Sequence, residues 1–381
     1  MMRPNPLVFE THTRVFLNRL SAQYSRRVTL GDIPDDEWGR LASMGFDGVW
    51  LMGVWQRSEA ARRVALVHEN LRDEYGRALP GWGEGDVEAS PYAVHGYTVD
   101  STLGDAGSLA IVQEQLHRHG LSLIVDFVPN HLALDHPWTG THPSRFVMPS
   151  PQQAHEHPDW YFTTEAGHVL AHGRDPYFGP WEDTAQVDFF SEDLRSAWTE
   201  QLLEMASIAD GVRCDMAMLG MNRIFEWLWG EVSLHPRPAD EFWEKAIGAV
   251  KAKYPDFVFI AEAYWDTETE LRALGFDYTY DKHLYDRLRW EDGAAVGEYL
   301  SNQAEPDRWV RFVENHDEAR AVEVFGRERS FAAATIATSL PGLRLFYDGQ
   351  IEGRTTRMPV QVARWPDEIV DVGLHAAYQT L

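Results

Sequence analysis

DFVPNH at 126–131 is the first of four stretches that together predict the fold of this chain, and it is followed by GVRCDMAML at 211–219, FIAEAYWD at 259–266 and FVENHDEAR at 312–320. Each stretch places acidic residues, histidine or arginine at the C-terminal end of an apolar, β-prone run. In a parallel barrel the loops that follow the strands all lie on one face, so these side chains would meet in one pocket. The chain is therefore predicted to be an α/β protein with a (β/α)8 TIM-barrel fold.

Short apolar runs alternate with longer helical patterns along the chain, as a parallel α/β architecture requires. The eight predicted barrel strands are Leu7–Val15, Phe46–Gly53, Leu121–Val128, Ile208–Asp215, Phe257–Glu262, Phe276–Tyr280, Trp309–Asn315 and Leu343–Tyr347. A helix is predicted at Glu192–Ala209, where apolar residues recur at helical spacing. The connection at 132–188 is long and rich in Pro, Gly and His, so the barrel of residues 1–381 is predicted to be interrupted there by a small insertion.

The composition argues against several kinds of partner. The chain has 381 residues and a formal net charge of −25, so nucleic acids and anionic membranes are not expected to bind it, since both are polyanions. The single cysteine, Cys214, cannot form an intramolecular disulfide and is predicted to be a buried packing thiol. The N-terminus lacks a signal-peptide pattern and no stretch is long enough to span a bilayer, so a cytoplasmic protein is expected.

Three carboxylates, Asp215, Glu262 and Asp317, would converge in the predicted pocket. Retaining glycoside hydrolysis needs two carboxyl groups about 5–5.5 Å apart, one as the nucleophile and one as the acid/base. Asp215 and Glu262 end neighbouring predicted strands, which lie about 4.8 Å apart, so their side chains can reach that separation. Arg213, two residues before Asp215 on the same face of its strand, is suited to hold the charge of Asp215. The alternative is that both carboxylates cap helices that follow their strands.

Taken together, the four stretches resemble those of the α-amylase family of glycoside hydrolases (family 13). The resemblance runs from ETHTRVF at 10–16 to FYDGQIEG at 346–353. It implies a catalytic barrel with a domain B-like insertion at 132–188, after the third strand. The family usually adds a C-terminal β-sandwich, and this sequence is expected to lack it or to carry a truncated form.

The resemblance also implies roles for individual residues. Asp215 would be the nucleophile, Glu262 the general acid/base, and Asp317 a third carboxylate that grips the hydroxyls of the sugar at the cleavage site. Tyr97, in SPYAVHGY at 90–97, would stack under that sugar. The remaining implied contacts to the sugar are His131, His316 and His95. A lone histidine is more often structural, but the matched stretches favour binding.

Departures from the family pattern concern the metal and the length of the substrate. Many α-amylases follow the nucleophile with a Lys-His pair that contacts substrate and helps to bind calcium, and Met218 and Leu219 stand there in this chain. Asn130 matches a calcium-ligand asparagine, but one oxygen ligand does not make a site. The sequence therefore predicts neither a metal nor a cofactor. Two long loops, at 62–92 and 132–188, are expected to narrow the pocket mouth and to favour short substrates.

These features lead to one main functional hypothesis and two alternatives. The main hypothesis is a retaining α-glycosidase that hydrolyses α-glucosidic bonds of oligosaccharides through a covalent glycosyl-aspartate. A transglycosylase or a sugar isomerase would use the same site, because sequence does not reveal whether water or a sugar intercepts the intermediate. A catalytically inactive amylase-like binding protein is the other class, and it should have lost at least one of the three carboxylates. Tyr264 and Trp265 would either line the leaving-group side or pack under a lid.

Overall fold

A computed structural model describes residues 3–381 of the protein. Its strands are β1 (Leu7–His12), β2 (Gly48–Met52), β3 (Trp55–Arg57), β4 (Val94–Val99), β5 (Ser122–Phe127), β6 (His131–Ala133), β7 (Tyr161–Thr163), β8 (Val169–Ala171), β9 (Thr184–Gln186), β10 (Gly211–Cys214), β11 (Val258–Ala261), β12 (Tyr278–Tyr280), β13 (Trp309–Arg311) and β14 (Leu343–Tyr347). Its α-helices are α1 (Thr13–Gln23), α2 (Asp35–Ser43), α3 (Glu59–Val67), α4 (Glu69–Ala78), α5 (Ser108–Arg118), α6 (Trp138–Thr141), α7 (Pro151–Glu156), α8 (Glu192–Met205), α9 (Asn222–Trp229), α10 (Phe242–Lys253), α11 (Glu268–Ala273), α12 (Lys282–Trp290), α13 (Gly293–Asn302), α14 (Ala321–Phe325), α15 (Arg327–Ser339) and α16 (Val372–Tyr378).

Eight parallel strands close into a barrel in the order β1–β14–β13–β12–β11–β10–β5–β2. The predicted (β/α)8 fold is confirmed, and each of the eight predicted runs contains one barrel strand. The strand at the seventh position is the main difference in extent. It covers only Trp309–Arg311, because the chain from Phe312 onward turns into the loop that carries the polar residues of FVENHDEAR.

The barrel strands are buried along their length, as expected for a parallel sheet covered by helices. In β2, all five residues of GVWLM are buried. Helix α8 shows how the outer layer forms: Ser191 caps its first turn by accepting from Leu194 N, and Trp198 and Leu202 bury the inner face. The helix ends at Met205, four residues before the predicted end. Cys214 is fully buried in the core, and burial raises the pKa of its thiol well above the usual range, which fits a packing role.

The segment between β5 and α8 forms the insertion. Its ends pair as the antiparallel strands β6 and β9, with His131 opposite Gln186, and β7 and β8 form a second antiparallel pair. The first part of the earlier long loop folds as α3 and α4, and the part from 79 to 92 is largely irregular. Within residues 3–381, none of the helices combines the length and apolar character needed to cross a membrane.

Asp126, at the end of β5, fixes the neighbouring strand end and so supports the site above it. Its carboxylate accepts from Trp50 Nε1 at 3.1 Å and from Gly53 N at 2.8 Å. Gly53 has φ of 75°, and a Cβ there would lie 2.6 Å from Cβ of Pro91, so the turn after β2 requires glycine. The β2 and β5 strand ends are therefore held in one position relative to each other.

A buried ion pair joins the sixth and seventh barrel strands. Arg311 on β13 contacts Asp281, which follows β12, and both side chains are fully buried. The Asp281 carboxylate also accepts from Tyr299 Oη at 2.6 Å and from Leu284 N at 3.0 Å. Gln303 Nε2 donates to it at 3.1 Å as well. Of these four partners of the Asp281 carboxylate, Arg311 is the cation.

Replacing Arg311 by methionine should destabilise the fold by about 3–5 kcal/mol, because the Asp281 carboxylate is left buried without its cation. Urea unfolding monitored by circular dichroism measures this change in the free energy of unfolding. The matched control is Arg118→Met, whose ion pair with Asp35 at 3.0 Å is exposed, and whose loss should cost much less stability because solvent screens the pair. Equal losses in the two variants would contradict the importance of the buried pair.

Candidate active site

Arg213, on β10, is the residue around which the predicted carboxylates meet. Its Nη1 donates to Asp215 Oδ1 at 2.7 Å, and its Nη2 lies 2.7 Å from Glu262 Oε2. The second contact is an ion pair without hydrogen-bond alignment. Asp317 Oδ2 lies 4.0 Å from the same Nη2. The structure therefore brings all three predicted carboxylates around one guanidinium, which is buried beneath them.

The backbone at the strand ends explains how the two nearest carboxylates come together. The parallel pairing of β10 and β11 continues past both strands, since Glu262 N donates to Cys214 O at 3.1 Å and Ala217 N donates to Glu262 O at 3.1 Å. Met216 then adopts a left-handed conformation with φ of 43°. This turn directs Met216 N to Glu262 Oε2 at 2.6 Å. The loop after Asp215 thus supplies a hydrogen bond to the neighbouring carboxylate.

The environment of Glu262 favours its protonated form. Burial, with the nearby charges of Asp215 and Asp317, raises the pKa of Glu262 to about 7, although Arg213 opposes the shift. Tyr264 Oη donates to Glu262 Oε1 at 2.8 Å. Burial also raises the pKa of Asp215, and here the aligned hydrogen bond from Arg213 favours the ionised form. Of the two carboxyl groups, Glu262 is the one placed to carry a proton near neutral pH.

A second charge system joins Asp317 to the first strand of the barrel. His316 Nδ1 lies 2.6 Å from Glu10 Oε1, and its Nε2 lies 3.0 Å from Asp317 Oδ2. Burial alone would lower the pKa of His316, but the two carboxylates raise it to about 10. The same imidazolium outweighs the effect of burial on Asp317 and lowers its pKa to about 2. Asp317 is therefore held ionised where its side chain opens onto the cavity.

Sequence reasoning missed two residues of this system, Glu10 and Tyr92. Tyr92 Oη lies 2.7 Å from His316 Nε2, and its ring stacks on the imidazole at 5.4 Å between centroids. Glu10 lies in ETHTRVF, in the first half of the predicted strand Leu7–Val15, so the rule that sought acidic residues at strand ends did not select it. Tyr92 lies in the SPYAVHGY stretch, where the analysis selected Tyr97 instead.

Three further residues were predicted to contact the sugar, and one of them, His131, lines the cavity. His131 packs against Trp181 at 4.9 Å, and burial lowers its pKa to about 3, so it is neutral. Among the described residues, Tyr97 and His95 are not part of the cavity lining. The Tyr97 hydroxyl donates to Val128 O at 3.0 Å and accepts from Val128 N at 2.9 Å, so this side chain fastens one loop to another.

The site opens into a cavity of about 420 Å³, within the usual size range of ligand pockets. Asp215, Glu262 and Asp317 line it. Two segments predicted to overhang the pocket form much of the remaining wall. The α3–α4 segment contributes Val64, Ala65, His68 and Leu71, and the insertion contributes Pro180, Trp181, Glu182, Asp183 and Thr184.

Asn130, which matches a calcium-ligand asparagine, is hydrogen-bonded to a neighbouring side chain. Asn130 Nδ2 donates to Gln186 Oε1 at 3.2 Å, and Gln186 Nε2 donates to Asn130 Oδ1 at 3.0 Å. Met218 and Leu219, in place of the Lys-His pair, are buried in the core. Within residues 3–381, three side chains approach one another closely enough to share a metal ion, those of Asp266, Glu268 and His283. All three lie outside the insertion at 132–188.

Sequence comparison connects the chain to known families. The sequence model described as alpha amylase, catalytic domain, matches residues 39–369. The chain is similar to alpha-amylase MalA of Haloarcula japonica, with 24% identity over 361 residues, which are 92% of this chain and 44% of that protein. It is also similar to the alpha-1,4-glucan:maltose-1-phosphate maltosyltransferase of Chlorobaculum tepidum, with 26% identity over 271 residues, 69% of this chain and 33% of that protein. The chain thus spans less than half the length of these two relatives.

Comparison of structures agrees with the described architecture. The crystal structure of an alpha-amylase from Lactobacillus plantarum matches with a TM-score of 0.66 and 20% identity, covering 99% of this chain and 80% of that one. At this level of identity the likeness shows the shared fold alone.

Replacing Glu10 by glutamine should weaken the loss of stability at alkaline pH. The folded pKa of His316 is raised, so its contribution is fully present below pH 6.5 and is lost as the pH rises to about 10. One such proton gives a slope of at most about 1.4 kcal/mol per pH unit. Without the Glu10 carboxylate the folded pKa of His316 falls, so the slope between these limits should be smaller. Urea unfolding across this pH range measures it.

The control for this experiment is Asp35→Asn, which removes the carboxylate that lies 2.8 Å from the His119 Nε2 in an exposed pair. This variant should keep the pH dependence of the unmodified protein, because exposed charges are screened by solvent. An unchanged slope in the Glu10 variant would show that the buried carboxylate does not hold the proton on His316.

Proposed function

The chain belongs to the α-amylase family of glycoside hydrolases, and we propose that it is a retaining α-glycosidase that hydrolyses α-glucosidic bonds of short oligosaccharides. The observation that carries this proposal is the arrangement around Arg213, where one guanidinium contacts Asp215 and Glu262 at 2.7 Å each. Two carboxyl groups that lie against one guanidinium, one of them protonated and the other ionised, are the groups that a double displacement uses.

In the first step, the Asp215 carboxylate attacks the anomeric carbon of the sugar. Glu262 transfers its proton to the glycosidic oxygen as the bond to the leaving sugar breaks, so the leaving group departs as a neutral alcohol. The pKa of Glu262, raised to about 7, suits a general acid at neutral pH. Loss of the negative charge on Asp215 leaves Arg213 free to stabilise the now ionised Glu262.

In the second step, water hydrolyses the glycosyl ester. Glu262, now a carboxylate, takes a proton from the water as its oxygen attacks the anomeric carbon from the face that the leaving group vacated. Asp215 leaves as a carboxylate and regains its hydrogen bond from Arg213. Two inversions at one carbon return the original anomeric configuration. Asp317, kept ionised by His316, is placed to accept hydrogen bonds from hydroxyls of the same sugar.

The wall of the cavity supports a preference for short substrates. Residues of α3 and α4 stand on one side and the segment 180–184 of the insertion on the other, so the catalytic carboxylates lie inside a pocket rather than along an open groove. Met218 and Leu219 are buried and so are not placed to grip a longer chain.

A transglycosylase is the second candidate, and a group of aromatic residues beside the Glu262 loop favours it. Tyr177 packs at 5.3 Å against Trp265 and at 6.4 Å against Trp227, and the Tyr177 and Trp227 side chains are largely exposed. Flat exposed rings of this kind stack on sugar faces. They could hold an acceptor sugar that competes with water for the covalent intermediate. An inactive binding protein is disfavoured because all three carboxylates are present and in contact with Arg213.

Incubation with maltotriose should release shorter sugars. The reducing end that cleavage creates should first appear as the α-anomer. Early-time proton NMR, before mutarotation, measures this, and chromatography of the same mixture measures product length. Hydrolysis gives only glucose and maltose, and kcat/KM should be higher for maltotriose than for soluble starch.

Each outcome of this experiment bears on one part of the proposal. Release of the β-anomer would rule out double displacement, since a single inversion would then have occurred. Products longer than maltotriose would favour the transglycosylase. A higher kcat/KM on starch would contradict the expected preference for short substrates.

Asp215→Asn and Glu262→Gln should each reduce hydrolysis of maltotriose by roughly a thousandfold or more, because the two groups act as a unit. They should differ on α-glucosyl fluoride, whose leaving group needs no proton. The Glu262 variant should release a burst of fluoride stoichiometric with enzyme, since only the second step lacks its base, and the Asp215 variant should not. Glu298→Gln, an exposed carboxylate, is the control and should retain full activity. A fluoride burst from the Asp215 variant would overturn the assignment of the nucleophile.

A further inference from the structure

A second group of titratable side chains lies outside the catalytic cavity. Asp266 belongs to the loop after β11, the loop that begins with Glu262. Glu268 is the first residue of α11, and His283 lies in the first turn of α12. One ligand atom from each residue comes within 4.8 Å of the others. The three residues line a separate cavity of about 630 Å³.

Glu268 lacks a partner that its burial demands. The residue is only 4% exposed, and its Oε1 has no hydrogen-bond partner among the described residues. This oxygen lies 3.6 Å from His283 Nε2, too far for a hydrogen bond. Burial and the nearby Asp266 carboxylate raise the pKa of Glu268. A buried carboxylate oxygen that points at another ligand atom and is left unpaired indicates that a positively charged group belongs between them.

The spacing of the three groups matches that of ligands around a small metal ion. His283 Nε2 lies 3.0 Å from Asp266 Oδ1 and 3.6 Å from Glu268 Oε1. Ligands at about 2.0–2.1 Å from a tetrahedral ion are about 3.3 Å apart, so the two distances fall on either side of the ideal edge. Small rotations of the exposed Asp266 side chain would equalise them.

We propose that Asp266, Glu268 and His283 form a binding site for a divalent transition-metal ion, with Zn²⁺ as the ion that the donor set fits best. An imidazole nitrogen with two carboxylate oxygens suits Zn²⁺, whereas Ca²⁺ and Mg²⁺ prefer oxygen ligands alone.

The surrounding charges leave the two carboxylates available to a cation. The cavity also contains two guanidinium groups, those of Arg272 and Arg287. Arg272 Nε pairs with Glu305 at 3.0 Å, and Arg287 Nε lies 3.6 Å from Glu291, so each already has its own anion. The negative charge of Asp266 and Glu268 is therefore not cancelled by these groups.

Such an ion would connect two consecutive βα units next to the catalytic cavity. Trp265 and Asp266 both have left-handed backbones, with φ of 63° and 59°, which is costly for residues other than glycine. The preceding residue in this loop, Tyr264, donates to Glu262 Oε1. A metal bound to Asp266 and to α12 would hold the loop in this conformation. The sequence did not predict this site because its ligands come from two separate elements.

The test uses the full chain, freed of metal with a chelator that is then removed by dialysis. Titration with ZnCl₂ in a calorimeter should show one Zn²⁺ bound per chain, and bound Zn²⁺ should raise the melting temperature. Replacing His283 by alanine, or Glu268 by glutamine, should raise the Kd for Zn²⁺ about tenfold or more. His119→Ala, which removes a partly exposed histidine paired with one carboxylate, is the matched control and should bind as the unmodified protein does.

The proposal does not depend on the reaction that the enzyme catalyses, because binding and melting are measured without substrate. The His283 variant alters a partly exposed side chain, so it should fold even if the Glu268 variant does not. Failure of the unmodified protein to bind stoichiometric Zn²⁺, or an unchanged Kd in the His283 variant, would overturn the proposal. An equal loss of binding in the His119 variant would do the same, since it would indicate only scattered surface binding.

Discussion

The buried charge of Arg213 is the interaction on which the arrangement of the site depends. A guanidinium that has been removed from water must be surrounded by anions and hydrogen-bond acceptors, or the protein would bear a large desolvation cost. Asp215 provides an anion, a carboxyl oxygen of Glu262 lies 2.7 Å from Arg213 Nη2, and Tyr280 Oη accepts from Arg213 Nε at 3.3 Å. The barrel can supply these partners because two adjacent parallel strands end side by side. The same contacts that stabilise Arg213 therefore fix the separation of the two carboxyl groups.

The His316 system uses a similar principle for a different purpose. Here the buried cation is an imidazolium, and Glu10, from the opposite end of the sequence, is its buried counter-charge. Because β1 pairs with β14 to close the barrel, Glu10 is brought beside the loop that follows β13. Barrel closure is thus required for the charge state of Asp317. The local sequence around Asp317 does not contain this information.

The parts of the structure that could be predicted from sequence are those that depend on short-range pattern. Short apolar runs that alternate with helical patterns predicted the eight strands. The acidic residues that follow three of these runs predicted that Asp215, Glu262 and Asp317 lie near one another. Tyr97 and Tyr92 show where this reasoning ends, because both lie in one stretch and only the packing against Val128 or His316 distinguishes them. Glu10, Tyr92 and the Asp266–His283 contact depend on pairing between distant elements, which periodicity does not encode.

The distribution of protons follows from the number of charges that face one another. Five carboxyl groups surround the two buried cations, Arg213 and His316; they are those of Glu10, Asp126, Asp215, Glu262 and Asp317. With all five ionised, the cluster would carry an excess of negative charge in a region of low dielectric constant. Burial raises the pKa of Asp126 to about 6 and that of Glu262 to about 7, so these two groups take up protons closer to neutral pH than an ordinary carboxyl group does. Of the two, Glu262 lines the cavity, and the excess of buried carboxylates therefore favours a protonated carboxyl group that faces this cavity.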